Sequence, residues 1–129
     1  MTKYLILFAT FLTAASSCRQ SFDAYTHFST NEAFDVEMGD TITKTMATFT
    51  VLPNTKKHEQ LLRWLEANRD GWQKTSGSFS GDIMVRQGNF VLLRLDSGGV
   101  MISTTAKEGK PIQYRKDGTA KNLEFLKRR

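Results

Sequence analysis

Two histidines, His27 and His58, a single cysteine, Cys18, and scattered carboxylates are the side chains from which this 129-residue chain could build a reactive centre. The histidines do not form a His-x-x-x-His pair, the spacing that puts two imidazoles on one helical face for a metal. Gly77-Ser78-Phe79-Ser80-Gly81 has the outline of a nucleophile elbow. That turn needs serine at its centre, above a parallel sheet, and the central residue here is Phe79. Gly109-Lys110-Pro111 lacks the spaced glycine and the Ser/Thr of a phosphate loop. Glu59, Glu66 and Asp70 alternate with basic residues, as on an exposed helical face. The chain is therefore expected to be no enzyme and to need no cofactor and no metal.

Cys18 differs because of what precedes it. Lys3 is followed by an apolar run over residues 4–12 and then by small residues up to Ser17. Charge, apolar stretch and small residues in that order make a secretory signal peptide, here residues 1–17. The run is shorter than the roughly 20 residues a membrane-spanning helix needs. A buried helix apolar on every face would suit a much larger domain. The stretch from Leu12 to Cys18 resembles the lipobox of bacterial lipoproteins, with Ser16 and Ser17 at the small positions and Ala15 where leucine is common. The resemblance implies cleavage before Cys18 and lipidation (palmitate) of that residue, which would occupy it as a nucleophile. With Arg19 next, rather than aspartate, it implies an outer-membrane anchor facing the periplasm wherever the host has two membranes. Plain cleavage after Ser17, leaving an unpaired thiol, is the alternative.

Charge is divided along the chain. The net charge is +5 with a pI near 9.5. Residues 19–55 hold Arg19 and Lys44 against Asp23, Glu32, Asp35, Glu37 and Asp40, whereas eight basic and three acidic side chains fall in residues 107–129. Export directs the chain away from nucleic acid, and no recognition helix or aromatic RNA motif is present, so no nucleic-acid partner is expected. The basic end, residues 127–129, reads as a solvated tail, with docking to an acidic surface as the other reading.

The elements that position these groups follow from pattern. At 14.6 kDa, with 40% hydrophobic and 24% charged residues, the chain supports one small domain. One cysteine cannot form an internal disulfide, so the core alone must hold it. Residues 18–40, rich in Ser, Thr, Asp and Asn, read as the lipidated cysteine and a tether, with aromatic residues able to fold back. Residues 41–126 read as the domain. A strand is expected over 41–52, bent near Met46 where its apolar phase shifts. A helix follows over 56–68, with Leu61, Leu62, Trp64, Leu65 and Asn68 on one stripe, Gly71 as its stop and Trp72 beyond. Strands over 82–87, 90–95, 100–105 and 112–115 are joined by short glycine-containing turns, and Leu123, Phe125 and Leu126 close the domain. The expectation is an α+β fold: one helix packed on an antiparallel meander of four to five strands. Its element order resembles the cystatin-like arrangement, without any cystatin inhibitory motif.

Sorting the meander into faces gives the candidate site. Ile83, Val85, Val91, Leu93, Leu95, Val100 and Ile102 form the set expected under the helix. The opposite set includes Arg86, Phe90, Arg94, Met101 and Arg115, a mixture of Arg, Phe and Met typical of protein interfaces. The set would also arise if the N-terminal segment folded across it with Phe22, Phe28 or Phe34, or if the register were misassigned. The function expected is an exported, membrane-anchored, non-catalytic module that binds another protein, such as an immunity or inhibitor protein against a toxin or lytic enzyme. The alternatives are an envelope component binding cell-wall polymer or an assembly partner, and a small hydrolase with an unrecognised site.

Overall fold

Phe34, Val36 and Met38 alternate with Asp35 and Glu37, and this alternation makes the first strand. The computed structural model describes residues 22–40, 43–105, 109–118 and 120–127; residues 1–21 with Cys18, Ile42 and the Arg128-Arg129 end lie outside them. The strands are β1 Phe34–Asp40, β2 Thr45–Val51, β3 Gln73–Thr75, β4 Gly81–Gln87, β5 Phe90–Leu95, β6 Val100–Thr105 and β7 Pro111–Lys116. The helix α1, Lys56–Ala67, lies between β2 and β3, and short 3-10 helices cover Ala24–Thr26 and Ala120–Lys127. All seven strands join one antiparallel sheet in the order β2-β1-β4-β5-β6-β7-β3.

The α+β class and the single main helix match expectation. The strand count and the cystatin-like order do not: there are seven strands, two of them before the helix. The largest correction concerns residues 18–40. Far from tethering the domain, Phe34–Asp40 is an internal strand between β2 and β4, with Phe34 and Val36 fully buried. The segment before it is bound to the domain as well. Ala24 N donates to Arg69 O at 3.0 Å, and the Phe22 ring stacks on Tyr114 with centroids 3.9 Å apart. The bend expected near Met46 is absent, since β2 pairs with β1 without interruption; the irregularity lies between Gly81 and Ile83 of β4. Gly81 is there because a Cβ would sit 1.9 Å from the carbonyl oxygen of Arg94. At the basic end, Lys127 is exposed and pairs with Asp82, its Nζ 3.2 Å from Oδ2.

The helix forms as its sequence dictates. Thr55 caps it, its Oγ1 accepting from His58 N at 3.3 Å, and Asn68 closes it, its Nδ2 donating to Trp64 O at 2.8 Å. Leu61, Trp64 and Leu65 are buried in the core with Trp72, whose indole N–H donates to Asn68 O at 2.6 Å. Helix, N-terminal segment and C-terminal 3-10 helix share this core with Val36, Ile83, Val85, Leu92, Val100 and Ile102 from one side of the sheet. On the opposite side Leu93, Leu95 and Met101 form a small second cluster beneath Phe79 and Met84. Phe79 belongs to the β3–β4 connection, so the glycine- and serine-rich loop provides the cover on that side.

Candidate functional site

Cross-strand partners share a face. Ile83 faces Arg94, Val85 faces Leu92 and Gln87 faces Phe90. Phe90 and Arg94 therefore lie on the helix side, opposite to their expected side, while Arg86, Met101 and Arg115 lie on the outward side as expected. The error is one of register. β5 is apolar at nearly every position and gives no phase of its own, so its face is set by the two-residue turn at Gly88-Asn89.

Phe90 is a core residue, its ring centroid 5.3 Å from that of Phe28. Part of the covering arrangement is thus present: the N-terminal segment does reach Phe90, on the helix side. Arg94 is buried and ion-paired. Its Nε donates to Asp82 Oδ1 at 2.8 Å and its Nη1 to Glu124 Oε1 at 2.7 Å. The Arg94 hydrogen bond holds the Asp82 carboxyl down at about 2, against the opposing effect of burial and with help from Lys127. The same arginine lowers the pKa of Glu124. Loss of either carboxylate would leave this buried charge short of a partner, which is costly.

The outward side offers little to a partner. Arg86 pairs with Glu37 at 3.6 Å and its Nε donates to Met84 Sδ at 3.2 Å. Arg115 pairs with Asp117 at 3.0 Å, and Met101 is buried in the cluster that Phe79 covers. The two histidines also have structural partners. His58 is buried, with Nε2 2.8 Å from Glu32 O; a carbonyl can only accept, so that nitrogen donates. His27 stacks on Phe22 with centroids 4.7 Å apart. Among the described residues no three His, Cys, Asp or Glu side chains converge as metal ligands, and no helix is long and apolar enough to cross a membrane.

The site that sequence reasoning missed lies at the end of β2. A cleft of about 610 Å³ opens between the C-terminal half of β2, the first turns of α1 and the C-terminal 3-10 helix. Phe49, Val51, Leu52 and Phe125 supply its apolar wall, and Lys56, Lys57, Thr55 and Gln60 its polar rim. Lys57 lies over the Phe49 ring, 4.7 Å from its centroid, and its Nζ donates to Leu126 O at 3.4 Å. Lys56 is exposed and makes no ion pair among the described residues. An apolar wall with a cationic rim can take an apolar side chain flanked by acidic ones. The one sequence signal for it was the closing apolar segment, since Phe125 is brought to Phe49 by the fold alone.

No protein-family model, curated protein or solved structure matches the chain.

Proposed function

We propose that the chain is an exported, lipid-anchored, non-catalytic module that binds another protein at the cell envelope, in the manner of an immunity or inhibitor protein. The signal-like residues 1–17 and the lipobox-like stretch ending at Cys18 support export and anchoring. The cleft at the end of β2 supports protein binding and is the observation that carries the reading. Phe49, Leu52 and Phe125 form a concave apolar surface, and Leu52 is left 57% exposed at its edge. Apolar anchors seated in such pockets dominate binding energy at protein interfaces. The rim lysines favour a partner with carboxylates around its anchor, a preference that acts chiefly on association rate. The module's own arginines do not serve this purpose: Arg86, Arg94 and Arg115 are paired with its own carboxylates.

Co-purification of the full chain from its native envelope tests the proposal. The expected result is a stoichiometric protein partner whose retention falls at least about tenfold with Leu52→Asp, which places a charge at the apolar wall. Lys56→Glu should slow association and reduce its salt dependence. Both residues are exposed, so thermal midpoints should stay close to the parent's. Retention unchanged by either substitution would remove the cleft from the interface.

A further inference from the structure

Among the described residues β2 and β3 are the two edge strands of the sheet, and the longer, β2, carries nothing in its sequence to guard that position. Edge strands ordinarily carry a lysine, a proline or a bulge that discourages a further strand from adding. Thr45–Val51 has no charge, no proline and an unbroken register with β1. Among the described residues, Met46 and Leu52 are the large hydrophobics left exposed, at 69% and 57%, and both belong to this edge. No strand among the described residues pairs with its outer side.

We propose that a second copy of this chain pairs with it, through an antiparallel β2–β2 ladder centred on Thr48. This inference goes beyond the proposed function and requires neither the lipid anchor nor a foreign partner. A two-fold pairing sets the same patch against itself. Centred on Thr48, it brings Thr48 against Thr48, Ala47 against Phe49, Met46 against Thr50 and Thr45 against Val51. No charge meets a charge in any of these pairs. The large Phe49 meets the small Ala47, and two threonines meet at the axis, a favourable cross-strand pair. Met46 shares the outward side with Thr48 and Thr50, and the pairing makes Met46 of one copy a diagonal neighbour of Leu52, the residue just past the end of β2, of the other. Diagonal neighbours lie roughly 7–8 Å apart, within reach of long side chains. The exposed Met46 of each copy is thereby set against Thr50 and beside Leu52 of the other, in two equivalent places. Moving the centre to Ala47 or Phe49 shortens the ladder from seven residues to five.

One strand pairing with its flanking side chains buries less than the roughly 1,200–2,000 Å² of a standard stable interface. The dimer is accordingly weak in solution. Ala47 and Thr45 of the second copy come beside Phe49 and Val51, while its Met46 comes beside Thr50 and Leu52 at the rim of the cleft.

Sedimentation of the purified full chain in excess detergent, from about 1 to about 500 µM, tests the pairing. The expected result is a monomer–dimer equilibrium. Thr48→Lys and Thr48→Glu should each weaken it at least about tenfold, because like charges then face each other across the axis. A one-to-one mixture of the two variants should restore a dimer. Thermal midpoints check that the exposed site tolerates each change, and Met46→Lys, which opposes Thr50, replaces any variant that fails to fold. A monomer at every concentration overturns the proposal, whether another protein or a segment outside the described residues occupies the edge. A dimer indifferent to charge and mixing, as from two chains sharing one micelle, overturns it equally. Thr48 does not line the cleft. Partner capture without self-pairing, or the reverse, therefore tells the failure of one reading from the failure of the other.

Discussion

Phe90 and Trp64 show what a buried ring contributes to a domain of this size. Phe90 is 1% exposed and sits against Phe28, which in turn lies 5.7 Å from Phe34, so truncation would open a gap where the N-terminal segment meets the sheet. Trp64 is 5% exposed and meets Trp72 edge-on at 6.5 Å. Among the described residues its indole N–H has no hydrogen-bond partner, so its worth lies in packing and not in polarity. Phe90→Ala and Trp64→Ala should each cost roughly 3–5 kcal/mol, the range for large aromatics removed from a core. Against a total of about 5–15 kcal/mol for a typical domain, either change would bring the fold near its limit. Chemical denaturation of the two variants checks this. A midpoint equal to the parent's for Phe90→Ala would return that residue to the surface and reopen its role in binding. Trp64→Phe, which keeps most of the ring and deletes the orphaned donor, should cost clearly less than Trp64→Ala.

At the level of elements, the helix was fully legible and the sheet only in part. A cap at Asn54 or Thr55 and the stripe from Leu61 to Asn68 are local signals, and the helix occupies Lys56–Ala67, capped by Thr55 and closed at Asn68, three residues ahead of the stop expected at Gly71. The hairpins around Gly88-Asn89 and Asp96–Gly99 were legible for the same reason. β1 was readable too, in the alternation of Phe34, Val36 and Met38 with Asp35 and Glu37, but the polar residues before it disguised it as tether. The three-residue β3 was not: it owes its existence to pairing with β7, far along the chain. The face of Arg94 was hidden as well, because a guanidinium is tolerated on the apolar side only where Asp82, at the β4 irregularity, and Glu124 compensate it. These partners and Lys127 latch the C-terminal 3-10 helix to the sheet. The Asp82 carboxyl titrates at about 2 in the fold against an ordinary 3.8. A depressed pKa gives stability that is complete above the unfolded value and fades as pH falls through the folded one. Between about pH 4 and pH 2 the domain should lose on the order of 1–2 kcal/mol from this group, with the shift discounted for partial exposure. Asp82→Asn should flatten the pH dependence of the denaturation midpoint in that window. An equally steep decline in the variant would place the acid sensitivity elsewhere.

For the whole molecule, the position of the first described residues changes how the proposed anchor would act. With residues 18–40 as a free tether, the domain would stand roughly 25 Å off a membrane. The described domain already begins at Phe22, held against Tyr114 and Trp72, so Arg19, Gln20 and Ser21 alone separate it from Cys18. Three residues reach at most about 10–14 Å, and the domain would rest close to the bilayer. Two lysines stand near Phe22, Lys116 over Trp72 at 6.0 Å and Lys74 in register with Tyr114, while Arg69 is paired with Asp23 at 2.9 Å. Anionic headgroups would attract this end, with about 1 kcal/mol for each cation close to the surface. The cleft and the β2 edge lie at the opposite end of the strand order from β7 and β3 and would remain clear of the membrane. Cys18→Ser removes the lipid and leaves these cations in place. The variant should therefore leave the membrane fraction at physiological salt, retain weak binding to anionic vesicles at low salt, and melt at the parent's temperature because Cys18 precedes every described contact of the core. Fractionation with and without salt checks each part. A Cys18→Ser chain as tightly membrane-bound as the parent, after normal removal of the signal, would show that lipid on that cysteine is not what holds it.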